Sequence, residues 1–408
     1  MLKKKWMAVA AIAAACFSTA ALAAQPLRIG AILPLTGDLQ AFGTASLKGV
    51  QLAAKEINSA GGVLGTKVDI SSGDTQTLPQ PGVASAQKLV NANRVVGFVG
   101  AMSSGVTIPI AQSVSKPNHI PQISPASTSP VITTLKDGDF LFRTVPSDAY
   151  QGVALAEVVA GAGVKKVSII YVNNDYGQGL ADAFTKAFKK QGGSVLATAA
   201  YEQKQASYTA ELNKAWADGS TPDLVLIGYP QNGETILRES LEGGQFTKFF
   251  FTDGMKSPVL VKDLGAKYLN GSLGTTAQAR KGTPGAKHFE NAYKKAYGEL
   301  PPQPYIDTAY DATYILALAA EKAGTTTNGT KIRDAMRSVS NPPGTNIYPG
   351  DWAKAVKLIK AGKPINWTGA AGNENFDKNG DVTGTYAEWA IKNGKIETVK
   401  IFNPAKGQ

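Results

Sequence analysis

The chain has 408 residues, 43% of them hydrophobic and 18% charged, with 43 glycines, one cysteine, two histidines and a formal net charge of +11. At roughly 100 to 200 residues per domain this length predicts two or three folding units with ample core, which excludes a disordered linker and a disulfide-stapled miniprotein. The positive charge alone invites nucleic acid or an anionic membrane as partner.

The first residues weaken that invitation. Lys3, Lys4 and Lys5 precede an alanine-rich apolar run from Trp6 to Phe17, too short to span a bilayer as a finished helix. Ser18 and Thr19 break the run, and Ala21-Leu22-Ala23 supplies the small residues that a signal peptidase accepts. Residues 1–23 are therefore expected to be a cleavable export signal, cut after Ala23 or Ala24. Removing the three lysines lowers +11 to +8, and Cys16 leaves with them. Ala13 stands where a lipoprotein signal usually carries leucine, so Cys16 reads as an apolar residue of the signal rather than an acylation site. A mature chain without cysteine has no disulfide, thiolate metal site or thiol nucleophile. The expected product is a soluble bacterial protein outside the cytoplasm. Its lysine pairs at 165–166, 189–190 and 294–295 are scattered and carry no interleaved aromatic residues, so they read as solvated faces rather than a nucleic-acid stripe.

Along the mature chain, Leu27 to Leu33 reads as a buried strand ending in the turn Pro34-Leu35-Thr36-Gly37. Leu47, Val50, Ala54 and Ile57 recur at helical spacing, and Gly61-Gly62 stops that helix. Lys67 to Ser71 is the next strand, Pro81 to Asn91 a helix and Val95 to Val99 an apolar strand. The same grammar restarts after Phe140-Leu141-Phe142-Arg143, with strands at Val167–Val172, Ser194–Ala199, Leu224–Gly228 and Phe249–Phe251. Helices at Gln151–Ala160, Gly177–Lys190, Tyr208–Ala217 and Glu234–Glu242 separate them. Further helices are predicted at Tyr310–Ala323 and Lys331–Met336, and a hairpin joins Tyr386–Ile391 to Ile396–Phe402. Apolar strands separated by amphipathic helices predict an α/β fold of two doubly wound parallel-sheet lobes, in which ligands sit beyond the carboxyl ends of the strands.

Several chemistries are missing from the sequence. Gly61-Gly62-Val63-Leu64-Gly65-Thr66-Lys67 lacks the glycine before lysine of a phosphate loop, and His119 and His288 stand far apart without clustered partners. No serine sits in a G-x-S-x-G elbow. Asp377-Lys378-Asn379-Gly380-Asp381, with Glu388 twelfth, imitates a calcium loop, but Val382 occupies the glycine position, so a polar turn is preferred. No metal, cofactor or catalytic residue is predicted.

Three loops remain, each following a buried strand. Ser103 and Ser104 lead into a helix, where hydroxyls and free N–H groups suit a carboxylate or simply cap the helix. In Ile123-Ser124-Pro125-Ala126-Ser127-Thr128-Ser129-Pro130, prolines restrain the Ala126 carbonyl and the Thr128 hydroxyl. Asp253 ends a strand of the second lobe, as a turn residue or as a site carboxylate.

With Gly30-Ala31-Ile32-Leu33-Pro34-Leu35-Thr36-Gly37, Gly43, Gly49, the run Glu56 to Gly65, Asp74-Thr75-Gln76, Asp175-Tyr176-Gly177 and Phe376 to Asp381, these loops resemble the periplasmic leucine/isoleucine/valine-binding proteins of ABC importers. The resemblance spans essentially the whole mature chain. It implies a type I periplasmic binding protein, a Venus-flytrap whose lobes are joined by three crossing segments. The expected boundaries are 24–145 with 278–352 for the first lobe and 146–277 with 353–408 for the second. The resemblance further implies a periplasmic, monomeric, non-enzymatic receptor that binds a free amino acid and delivers it to an inner-membrane permease. The carboxylate and ammonium contacts fall on Ser103 or Ser104, Ala126 and Thr128, the acidic ammonium partner on Asp253, and the aromatic walls on Phe42, Tyr176, Tyr229 and Tyr305. Two departures stand out: the original members carry a disulfide beside the serine loop and a glutamate where this chain has Asp253. The rival readings are a receptor for another small carboxylate or amide, including urea and aromatic acids, and a secreted hydrolase using Ser103 or Ser104.

Overall fold

The computed structural model describes residues 25–217 and 219–404, so the expected export signal, its cleavage points and Cys16 lie outside the described residues. Five strands, β1 (Leu27–Leu33), β2 (Val68–Asp74), β3 (Gly97–Gly100), β4 (Gln122–Ser124) and β5 (Leu141–Arg143), form one sheet. Its order is β2-β1-β3-β4-β5 and every pairing is parallel. β1 is buried at all positions but Arg28, as a strand covered on both faces must be.

The chain then builds β6 (Lys166–Val172), β7 (Ser194–Tyr201), β8 (Asp223–Ile227), β9 (Lys248–Phe251) and β10 (Leu273–Ala277). A short parallel pair follows, β11 (Thr345–Ile347) with β12 (Ile365–Trp367), and then the hairpin β13 (Tyr386–Lys392) and β14 (Lys395–Phe402). The second sheet runs β14-β13-β10-β9-β8-β6-β7, parallel except where β13 pairs with β10 and β14. Two doubly wound lobes result. Neither β10 nor the helices Pro284–Tyr297 and Trp352–Lys360 are among the expected elements. β10 buries Thr275 and Thr276 completely, so its polar letters conceal an interior strand.

The helix Gln40–Ser59 returns the chain from β1 to β2 and ends at a glycine pair. Gly62 has φ +70°, and a Cβ there would lie 1.9 Å from the Thr66 carbonyl oxygen, so this stop requires glycine. Trp352 Nε1 donates to the Gly62 carbonyl at 3.1 Å. The helix that Trp352 opens, Trp352–Lys360, runs across the lobe boundary expected after residue 352. Residues 353–381, expected with the second lobe, pack on the first: Trp367 stacks on Tyr314 with ring centroids 4.6 Å apart, and Phe376 meets Phe142 edge-on at 5.1 Å. The strand pairing of the second sheet resumes only at β13.

The acidic stretch at 377–381 closes on itself as a turn. Asp377 Oδ1 accepts the amides of Asn379 at 2.7 Å and Asp381 at 3.0 Å. The Asp381 carboxylate faces Arg143 and Thr133, while Glu388 lies on β13 and pairs with Lys400 at 3.0 Å. Protein donors thus engage Asp377 Oδ1, both Asp381 oxygens and Glu388.

Candidate functional site

The carboxyl ends of β1, β3 and β4 in one sheet face those of β6, β8 and β9 in the other. Eight of the nine expected site residues, Phe42, Ser103, Ser104, Ala126, Tyr176, Tyr229, Asp253 and Tyr305, line a single small cavity there, together with Leu39, Met102 and Gly254. Thr128 does not. It is fully buried behind the wall, its carbonyl accepting the Asp148 amide at 2.7 Å.

Asp253 follows β9 and is 3% exposed. Its Oδ1 accepts from Tyr176 at 2.9 Å and from Gln151 Nε2 at 2.8 Å, and its Oδ2 accepts from Tyr305 at 2.8 Å. Burial nevertheless pushes its carboxyl above the ordinary aspartate range, because these donors only partly replace lost water. The same burial, reinforced by the Asp253 charge, pushes the Tyr176 and Tyr305 hydroxyls well above the usual phenol range, so both remain donors. The Tyr176 and Tyr229 rings stack, with centroids 5.8 Å apart and planes 12° from parallel.

Across the cleft, Ser103 occupies the cap position of the helix Ser104–Ile110, yet its side chain makes no capping bond. The Ser103 hydroxyl instead meets the Tyr229 hydroxyl at 2.8 Å, which answers the capping alternative for this residue. Ser104 Oγ accepts the Ser129 amide at 3.1 Å and so joins the two first-lobe loops. The loop around Ala126 is clamped from several sides. Ser124 Oγ accepts the Ser127 amide at 2.9 Å, Thr308 Oγ1 donates to the Pro125 carbonyl at 2.8 Å, and Arg143 donates to the carbonyls of Ser127 and Ser129. Arg143 is fully buried and also grips both Asp381 oxygens, at 2.7 and 2.9 Å.

Two of the cleft bonds, Ser103 to Tyr229 and Tyr305 to Asp253, join the lobes directly, and Gln203 Nε2 adds a third at the rim by donating to Asp38 Oδ2 at 2.6 Å. The cavity left between them measures about 20 Å³, room for about one water. The lobes are therefore closed.

A cleft of this construction, between two sheets of this topology, can be compared with known proteins. The sequence profile of the periplasmic binding proteins matches residues 26–354. The chain belongs to that family. Among similar relatives is the "Leu/Ile/Val-binding protein homolog 3" of Brucella melitensis, 29% identical over 91% of this chain and 92% of its own. Among solved structures, the leucine-binding protein LivK of Thermotoga maritima is 27% identical with a TM-score of 0.78, covering 93% of this chain and 99% of that one. The branched-chain amino-acid transporter substrate-binding protein LivJ of Streptococcus pneumoniae, solved with isoleucine, is 25% identical with a TM-score of 0.76, covering 93% and 100%.

The structure of this periplasmic binding protein adds residues that sequence reasoning passed over. Gln151 sits one helical turn after Asp148 and holds Asp253 from below. Asp148 is itself completely buried, with its carboxyl beside the Thr128 hydroxyl. Burial first, and then the Asp253 charge, push its carboxyl well up. Arg143 ends the stretch Phe140-Leu141-Phe142-Arg143, where an arginine in an apolar strand gives no hint that its partner lies at Asp381. Both histidines sit away from the cavity: His288 meets Glu56 at 3.2 Å, and His119 packs edge-on against Phe140.

Proposed function

We propose that this periplasmic binding protein is the exported, monomeric receptor of an ABC importer. In this reading it captures a free amino acid, with leucine, isoleucine or valine fitting best, and presents it to an inner-membrane permease. The observation that carries the proposal is the pairing of a buried carboxylate, Asp253, with the hydroxyl-bearing serine loop across a cavity walled by Phe42, Tyr176, Tyr229 and Tyr305. A zwitterion leaving water needs donors for its carboxylate and a negative charge for its ammonium, and its side chain gains from apolar walls. The names of the relatives agree with this choice.

Closure supplies the mechanism. The cavity of about 20 Å³ is smaller than an amino acid, so the ligand enters with the lobes apart and becomes the link between them. Its carboxylate takes the place of the Tyr229 hydroxyl at Ser103, with Ser104 and the Ala126 loop beside it. Its ammonium competes with the Tyr305 hydroxyl for Asp253. Binding thus exchanges the neutral Ser103–Tyr229 bond for a charge-assisted one and gives Asp253 a cationic partner in place of a neutral hydroxyl, which favours the closed form that a permease would read.

The rival small carboxylates and amides offer Asp253 no cation. A hydrolase would need a base at Ser103, and the hydroxyl there faces Tyr229 instead. A thermal-shift screen of amino acids, amides, urea and aromatic acids tests the choice, since ligand at 100 times Kd adds about 2.7 kcal/mol of stability. Leucine, isoleucine or valine should give the largest rise. A larger rise with benzoate or urea would replace the proposal.

A further inference from the structure

Beside the cleft, the lobes meet along the helix Asp175–Lys190 of the second lobe. Its first turn supplies Tyr176 to the cavity, and the helix packs on two pieces of the first lobe, the helix Ser104–Ile110 and the turn Pro130–Thr134. Both pieces continue directly from ligand loops: Gly105 follows Ser104, and Pro130 ends the loop that carries Ala126. The seam is therefore built from the same segments as the cleft. None of its contact residues, Gly105, Pro130, Asn174 and Gly179, lines the cavity itself.

Two glycines set the spacing of this seam. Neither Gly105 nor Gly179 has a positive φ, so the backbone requires glycine at neither position. What each lacks is room. A Cβ on Gly105 would lie 3.1 Å from Asn174 Cβ, and one on Gly179 would lie 2.7 Å from Pro130 Cδ and 3.3 Å from Ser129 Oγ. Each of these approaches crosses from one lobe to the other. The Pro130 ring has little freedom to withdraw, because Ser129 before it accepts the Val131 amide at 3.3 Å and gives its carbonyl to Arg143 at 3.0 Å. Within its own lobe Gly179 is a liability, since it is the fifth residue of a 16-residue helix, where alanine is the more stable choice. Only the meeting of the lobes accounts for its place.

We propose that Gly105 and Gly179 determine ligand affinity from outside the cleft, by letting the helix Asp175–Lys190 seat against the first lobe and so setting the closed population. This rests on the cleft being an amino-acid site that closes on its ligand. Apparent affinity falls with the fraction of protein in the binding-competent form, so a methyl group added at the seam weakens binding without altering a ligand contact. Gly179 carries the larger share, because its approach to Pro130 is the closer of the two.

The test compares Gly179→Ala with Gly161→Ala, a change at the end of the helix Asp148–Gly161 where an added Cβ would meet nothing within 4 Å. Isothermal titration with leucine should show binding weakened by about tenfold or more in Gly179→Ala, and by no more than about twofold in Gly161→Ala. In a Pro130→Ala background, which removes the ring that the new methyl meets, the same Gly179→Ala change should weaken binding by less than about threefold. Equal losses in both backgrounds would mean that the methyl acts within its own lobe, and would overturn the inference. A second readout needs no ligand: distances between nitroxide labels attached through Lys88→Cys and Lys189→Cys, exposed positions on the two lobes. Gly179→Ala should move the ligand-free distribution toward longer distances, and an unchanged distribution overturns the inference. Gly105→Ala should move both readouts in the same direction by less, and it decides the matter if Gly179→Ala does not fold. Failure of leucine to bind the parent would sink the ligand reading alone, leaving the label distances to judge the seam.

Discussion

Asp253→Asn separates the charge of the proposed ammonium partner from its shape. Alanine would leave Tyr176, Tyr305 and Gln151 pointing into a gap, so its effect would mix lost binding with broken packing. Asparagine fills the same volume. Its carbonyl can keep the two donors that meet Oδ1, and its amide can donate to a rotated Tyr305 hydroxyl at Oδ2. What disappears is one negative charge that is 3% exposed. Truncating one partner of such a buried charge pair costs about 2 to 5 kcal/mol, or roughly 30- to 4000-fold in Kd. Stability should move the other way. Burial raises the Asp253 carboxyl, so the folded empty protein holds that proton more tightly than the unfolded chain. The stability linked to this group is full below the ordinary aspartate range and falls as pH rises through the raised value. Asparagine has no proton to lose, so the variant should gain Tm at a pH above the raised range and gain little below the ordinary aspartate range. Isothermal titration with leucine and melting curves at the two pH values read both effects. A change in leucine affinity of less than about tenfold, less than about 1.4 kcal/mol, would remove Asp253 from the binding site and refute the reasoning.

Tyr229→Phe removes the hydroxyl that meets Ser103 across the lobes. It should cost the empty closed form about 0.5 to 1.5 kcal/mol, so small-angle scattering of ligand-free protein should report a larger radius of gyration than for the parent, and an unchanged radius counts against the latch. Arg143→Met should lower stability by up to about 3 kcal/mol, because it removes the buried guanidinium that holds the part-buried Asp381 carboxylate and the Ser127 and Ser129 carbonyls. Adding Asp381→Asn should recover part of that loss in urea melts, and additive losses would show that the pair acts through nothing but packing. The hydrogen bond to Glu56 raises the His288 imidazole, so its contribution is full below the ordinary histidine range and is lost as pH rises through the raised value. The Tm difference between parent and His288→Asn should therefore shrink from mild acid to alkaline pH, and a constant difference would contradict the linkage.

Much of the architecture was legible from the chain itself, because it depends on local order. Strands such as Val167–Val172 and the β13–β14 hairpin announce themselves through unbroken apolar runs and turn residues, and two runs of such units suffice for two lobes. The site loops were legible for a related reason: each directly follows a strand, and strand ends of parallel sheets converge. Ser103, Ala126, Tyr176, Tyr229 and Asp253 share one cavity as a result.

What the tertiary structure alone decided is which groups share a partner at long range. Thr128 and Ser103 look alike as hydroxyls on strand-end loops, yet one faces the cleft and the other turns inward, because the Asp148 amide takes the Thr128 carbonyl and Tyr229 reaches Ser103. Residues 353–381 carry no letter that assigns them to a lobe; the Trp367–Tyr314 stack and the Arg143–Asp381 pair do so. Periodicity records which face of an element is buried, whereas burial without a hydrogen-bond partner exists only once distant segments have packed.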